Sequence, residues 1–154
     1  PKPLMWSKEN QFSCDSSLMT LKEEKLDSLF LIGNAAITSL SKDSIHFDQA
    51  IGKRLEGNFL NNAVHALKLE GNAENISHSI NDEGIVEGMS KSSCSWIEIT
   101  FKDGEANKVK AGPGGEASYV PWSSASDDMK TLPRCTPAFD LRTTKEEIRP
   151  KIIQ

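Results

Sequence analysis

Three observations predict an all-β fold built from repeated antiparallel hairpins. The first is an internal repeat. Leu29-Phe30-Leu31-Ile32-Gly33-Asn34-Ala35 returns 38 residues later as Leu67-Lys68-Leu69-Glu70-Gly71-Asn72-Ala73. Self-similarity at a fixed period of this kind marks a stacked architecture. The second is a set of short polar linkers between apolar runs: Lys22-Glu23-Glu24-Lys25, Leu60-Asn61-Asn62-Ala63 and Lys102-Asp103-Gly104-Glu105. Asn-Asn and Asp-Gly in such places are hairpin signals. The third is a period-two alternation. Ile97, Ile99 and Phe101 alternate with Trp96, Glu98 and Thr100, and Leu67 and Leu69 alternate with Lys68 and Glu70. Period two sends the two sets to opposite faces of a sheet.

Taken in order, residues 4–39 form a first hairpin unit with its approach strand, and residues 45–78 form the second. Residues 79–93 connect it to a third unit at 92–120, with a turn at Asn81-Asp82-Glu83-Gly84. Cys14 to Lys22 aligns with Cys94 to Lys102, which makes the third unit a decayed copy in which Val109 takes the place of Leu29. Gly33 and Gly71, each followed by Asn-Ala, fall inside strand patterns, where glycine marks a bulge or bend. The organisation expected is a β domain over residues 1–122 and an irregular tail over 123–154, rich in Ser, Asp and Pro. Thr144-Lys145-Glu146-Glu147-Ile148 is expected to make one helical turn before Pro150. The chain opens at Pro1 rather than Met, which suggests a processed or truncated chain.

At 154 residues the chain is long enough for one domain with a sizeable core. The apolar fraction, 37%, is slightly low for a globular chain and fits strands with one polar face. Net charge is −4 with signs mixed along the sequence, and no basic patch of the kind that binds nucleic acid is present. No apolar run approaches the length of a membrane-spanning helix. Cys14, Cys94 and Cys135 make an odd count. Cys14 and Cys94 hold matching places two repeats apart, too far in a stacked array for the ~7 Å that a disulfide allows between Cα atoms.

The residues of catalysis are not arranged for it. His46, His65 and His78 have no carboxylate or cysteine at metal-ligand spacing, and Cys-x-x-Cys is absent, so neither metal nor cofactor is expected. Gly112-Pro113-Gly114-Gly115 lacks the Lys-Ser/Thr of a phosphate loop. The Asp-Ser pairs at 15–16, 27–28 and 43–44 have no His or Lys base at a spacing meaningful for catalysis and read as turn residues. A sandwich enzyme acting on carbohydrate would need paired carboxylates in one cleft, whereas Glu56, Glu70 and Glu98 lie on outward phases of separate copies. A non-enzymatic protein is the expectation.

The alternation also names an inner face: Met19, Leu21, Leu29, Leu31, Leu55, Phe59, Leu67, Leu69, Ile97, Ile99, Phe101 and Val109. Such a row can fill a closed core or line an apolar trough. Ligand sites are mostly apolar with few polar anchors, and the row suits either role.

The stretch Asp48-Gln49-Ala50-Ile51-Gly52-Lys53-Arg54-Leu55-Glu56-Gly57-Asn58-Phe59, followed by Leu67-Lys68-Leu69-Glu70-Gly71-Asn72-Ala73-Glu74, resembles the OstA-like family. These are the organic-solvent-tolerance or LptA-type lipopolysaccharide-transport proteins, and the resemblance is to a Bacteroidota-like form. Met5-Trp6-Ser7-Lys8-Glu9-Asn10-Gln11 before Cys14-Asp15-Ser16, and Ile148-Arg149-Pro150, look like further family patterns. The resemblance covers roughly residues 4–120. It implies an open, twisted β-jelly roll in the periplasm or cell envelope, with no catalysis. It implies that lipopolysaccharide or another acylated lipid is shielded in a groove lined by the twelve inner-face residues just named. It further implies end-to-end association with itself or with related transport proteins, edge strand on edge strand, to bridge the inner and outer membranes. The chain departs from the pattern in replacing Gly-Asn-Ala of the third copy by Pro113-Gly114-Gly115-Glu116-Ala117, and in having only Lys53-Arg54 as adjacent basic residues in the matched stretch. A structural domain with a filled core, assembling through its edge strands without a lipid, is the alternative.

Overall fold

The computed structural model describes residues 2–142, the Glu105 side chain excepted. The helical turn expected at 144–148 and the motif Ile148-Arg149-Pro150 lie outside them. Among the described residues nine strands follow in order: β1 Leu4–Ser7, β2 Asn10–Ser13, β3 Ser16–Lys22, β4 Lys25–Leu40, β5 Phe47–Leu60, β6 Ala63–Ile80, β7 Val86–Lys102, β8 Glu105–Ala111 and β9 Glu116–Pro121. All pair antiparallel in one open sheet, in the order β1-β2-β4-β5-β6-β7-β8, with β3 beside β4 and β9 beside β7. The fold is an open β-jelly roll made of repeated hairpins.

Each expected hairpin linker is a two-residue turn with both central residues at positive φ: Glu23 and Glu24, Asn61 and Asn62, Asp103 and Gly104. This handedness matches the right-handed twist of the flanking strands. The units are joined at their far ends by two further turns. In the 41–46 loop the Asp43 carboxylate accepts the Ile45 and His46 N–H groups at 3.0 Å. In the 81–85 turn Asn81 Oδ1 accepts from Glu83 and Ile85 in the same way. Residues 79–93 are therefore not a separate connector. Only 81–85 turn, and from Val86 onward the chain is already β7.

The repeated Gly-Asn pairs are where the sheet bends. The register shifts at Ile32/Ala35, at Ile51/Arg54 and at Glu70/Ala73. Gly33 (φ 75°) and Asn34 (φ 49°) sit in the first shift, and Gly71 (φ 83°) and Asn72 (φ 50°) in the third. Glycine and asparagine tolerate this left-handed conformation best. A Cβ at Gly71 would lie 2.8 Å from Lys53 Cβ, so space as well as conformation calls for glycine. Beside the bulges lie Cys14, Ala35, Gly52, Ala73 and Cys94, all small and all buried. Ala35 pairs with Gly52 and Ala73 with Cys94. Small side chains let the sheet turn sharply there. Cys14 and Cys94 stand at opposite ends of this line with three strands between them, and all three cysteines are free. Burial, with the nearby Asp15 charge, pushes the Cys14 thiol up, and burial pushes Cys135 to about 11, so both stay protonated.

The bend divides the sheet into two halves that face each other. The first holds β3, β8 and residues 25–32, 54–60, 63–70 and 96–102. The second holds β1, β2, β9 and residues 35–40, 47–52, 73–80 and 86–94. Leu29, Leu31, Leu55, Leu67, Leu69 and Ile97 from the first half pack against Phe12, Ile37 and Ala50 from the second. The outer side of the second half is covered as well. After β9 the chain makes short 3-10 turns at Trp122–Ser124, Asp127–Met129 and Phe139–Leu141. Along this path Leu132 and Cys135 close over Ala36, Ile51, Ile76 and Met89. Two glutamines of one cross-strand row hold this strap. Gln49 Nε2 donates to Lys130 O at 2.9 Å while its Oε1 accepts from Leu132 N at 2.7 Å. Gln11 repeats the pattern with Thr136 O and Ala138 N. At the strap's start Trp122 packs against His46 and His78, with Lys130 over its ring. Each imidazole carries an aspartate on Nδ1, Asp43 at 2.5 Å and Asp48 at 3.0 Å. Among the described residues no helix is long and apolar enough to cross a membrane.

Candidate functional site

The inner faces of the two halves differ in how far their apolar character runs. In the first half the cross-strand row nearest the bend is Ser17–Leu31–Leu55–Leu69–Ile97–Ala111, and the next is Met19–Leu29–Gly57–Leu67–Ile99–Val109. Phe59, Val64, Phe101 and Ala106 continue toward the hairpin tips. This wall is apolar from bend to tip, apart from Ser17. In the second half the small row gives way to Phe12–Ile37–Ala50–Asn75–Ser92 and then to Asn10–Ser39–Asp48. Polar side chains take over within two rows of the bend.

Near the bend the halves interlock. Leu29, Leu31, Leu55, Leu67, Leu69 and Ile97 are at most 2% exposed, and Phe59 is buried. Toward the tips the walls separate and enclose an open groove of about 670 Å³. Ligand sites commonly have ~300–1,000 Å³. One wall is Ala63, Val64, Ile99, Phe101, Ala106 and Val109; the other is Asn10, Ser39, Asp48, Ala50, Asn75 and Ser77, with Ile37 at its base. Lys8, Glu9, Lys42 and Asp103 stand at the mouth. The 41–46 loop on this rim is tied by hydrogen bonds from Ile45 and His46 to Asp43. Burial pushes the Asp43 carboxyl up, but the hydrogen bonds from His46 and Ile45 outweigh it and hold its pKa down at about 2.

The twelve residues named from alternation are thus divided. Leu29, Leu31, Leu55, Phe59, Leu67, Leu69 and Ile97 form the sealed core. Ile99, Phe101 and Val109 line the groove. Met19 shares the inner face with its partner Leu29, but β3 is an edge strand exposed along its whole length, and Met19 and Leu21 are 54% and 70% exposed. Neither borders the groove. The polar wall is one that the sequence does not announce. Its Asn and Ser residues resemble turn formers in sequence, and only the alternation Ala73-Asn75-Ser77 hinted that they point inward. Among the described residues no cluster of three His, Cys, Asp or Glu could hold a metal ion. His65 is exposed, apart from His46 and His78.

Compared with known proteins, the chain matches no family model and no curated sequence.

Proposed function

We propose that this chain is a non-catalytic carrier in the cell envelope, taking an acyl chain of lipopolysaccharide or a related lipid into the open end of its jelly roll. One observation carries the reading. The apolar wall of the first half continues past the packed core and out to the hairpin tips, where Val64, Ile99 and Phe101, only partly buried against the core, and the exposed Val109 line an open groove. Apolar surface left facing water in this way gains about 0.8 kcal/mol for each CH₂ it buries. The resemblance to the OstA-like proteins supports the same role and the periplasmic setting. The chain would enter at the mouth between the 41–46 loop and the hairpin tips, and stop at the sealed core.

Photo-crosslinking tests this. Reactive residues at Phe101 and Val109 are expected to capture lipopolysaccharide, and residues at Lys68 and Glu70 on the outer face are not. Capture from Lys68 and Glu70 but not from Phe101 would rule the groove out.

A second reading is favoured by a specific feature of β3. Leu18, Met19 and Leu21 are each more than half exposed on a strand with a free edge. A small apolar notch of about 210 Å³, lined by Leu18, Phe30 and Ile32, adjoins it. An exposed apolar edge of this kind is a template for strand addition. In this reading the domain is a scaffold that joins like domains through β3, and the groove carries nothing. Concentration-dependent assembly that is abolished by Met19→Lys, together with no lipid binding, would favour it.

A further inference from the structure

We propose that residues 148–152, Ile148-Arg149-Pro150-Lys151-Ile152, occupy the open groove of their own chain as an extended segment, so that any other ligand must displace them. The placement stands whether or not the groove also takes a lipid. The described chain ends at Arg142, and twelve residues follow it in the sequence. Arg142 leaves the last 3-10 turn with extended backbone (φ −68°, ψ 115°), and its Nη1 donates to Lys8 O at 2.7 Å. Lys8 stands at the groove mouth. Phe139 stacks on Phe47, which pairs with Leu40 beside the 41–46 loop of the same rim. The strap thus delivers the chain to the open end of the groove. Residues 143–147 add a reach of up to about 18 Å when extended. With the helical turn expected at 144–148 the reach is about 8 Å, which suffices because Arg142 is already at the mouth.

The segment matches what the groove offers. Ile148, Pro150 and Ile152 alternate with Arg149 and Lys151. Pro150 biases Arg149 toward extended backbone, and in an extended chain the two sets point to opposite sides. The groove has an apolar wall with Val64, Ile99 and Phe101, and a polar wall that includes Asp48. The three apolar residues suit the first wall and the two basic residues suit the second. Proline also brings no N–H to the apolar wall, where a donor would go unpaired. Charge agrees. Glu9, Asp48 and Asp103 border the groove against Lys8 and Lys42, which leaves it net negative and attracts a segment with two positive charges. Glu146 and Glu147, which precede the segment, would pass Lys8 and Lys42 at the mouth. The apolar notch beside β3 fits less well, because Arg54 borders it and repels Arg149 and Lys151.

Photo-crosslinking within the full chain, at low micromolar concentration and with no lipid added, tests the inference. Benzoylphenylalanine in place of Phe101 or Val109 is expected to join that position to residues 148–152 of the same chain, read by peptide mass. In place of Lys68, on the outer face, it is expected to give no such product. Ile148→Asp/Ile152→Asp, with an unchanged circular dichroism spectrum, should cut the yield from Phe101 at least fivefold. Three results would overturn the inference. One is the absence of a product with 148–152 from both groove positions. Another is a yield unchanged in the folded double variant. The third is a product that joins the groove of one chain to residues 148–152 of another, in a mixture of isotope-labelled and unlabelled protein. The contrast between the groove positions and Lys68 decides even if the double variant does not fold. Because no lipid is present, each of these results leaves the lipid-groove reading to its own test.

Discussion

Gln49 reaches from β5 to Leu132, 83 positions later in the chain, and its side-chain oxygen accepts the Leu132 N–H at 2.7 Å. Its amide nitrogen holds Lys130 O at the same time, so one side chain stands in for a neighbouring strand. Gln11 does the same for Thr136 and Ala138. Removing Gln49 leaves the Leu132 N–H and Lys130 O without their partners on a buried surface, a cost of about 1–3 kcal/mol. Gln49→Ala is expected to speed amide exchange at Leu132 and Cys135 while the amides of β5 and β6 stay protected. Equal loss of protection over the sheet would mean that the strap and sheet unfold as one.

The bulges make a second prediction. Gly71→Ala forces a Cβ into positive φ and to 2.8 Å from Lys53 Cβ. Gly84 has the same conformation, with nothing within 4 Å of a Cβ built there. Gly84→Ala should cost about 1 kcal/mol through conformation alone. Gly71→Ala should cost more, by about 1–3 kcal/mol, because the two strands must part as well. Urea unfolding of the two variants side by side measures the difference, and equal losses would place the bend elsewhere.

Glu23 and Glu24 are poor choices for a turn in which both central residues have positive φ. Glu23→Asn/Glu24→Gly supplies the residues this turn favours, as Asp103-Gly104 already does in the matching hairpin. The change is expected to raise stability by about 0.5–1 kcal/mol, read as a higher urea midpoint with an unchanged slope. No change in midpoint would mean that the end of this edge hairpin is not part of the cooperative unit.

Asp43 supplies a pH dependence. Its folded pKa, about 2, lies below the ordinary 3.8, so its contribution to stability is complete above pH ~4 and is lost as pH falls toward 2. Asp43→Asn should flatten the decline of stability between pH 4 and 2 and loosen the 41–46 rim. If the unaltered chain and the variant lose stability in parallel over that window, other carboxylates govern its acid response.

Much of this arrangement was legible in the sequence because it is local. Asn-Asn and Asp-Gly announce their turns, the Gly-Asn pairs announce the bulges, and alternation sets the phase of Leu29, Leu31, Leu67, Leu69 and Ile97. What alternation cannot give is distance from an edge: Met19 has the phase of Leu29 and pairs with it, yet among the described residues β3 has no further strand or opposing layer to cover it. It also fails where both faces are buried. Ala36 and Ile51 face the strap while Ile37 and Ala50 face the core, so β4 and β5 lose their pattern beyond the bend. The same effect hid β7 within 86–93, where Met89 is buried by a strap residing some forty positions later in the chain. The groove arises from a similar long-range cause. Its apolar wall follows from alternation, but the facing polar wall is set by how the sheet folds over.

In the proposed role an acyl chain occupies the open groove and stops at the packed core. Methyl NMR during titration with lipopolysaccharide tests it most directly. Shifts are expected at Val64, Ile99 and Val109, with Leu31, Leu55 and Leu69 nearly unmoved. Shifts confined to Leu18, Met19 and Leu21 on the exposed edge, or no shifts at all, would contradict it.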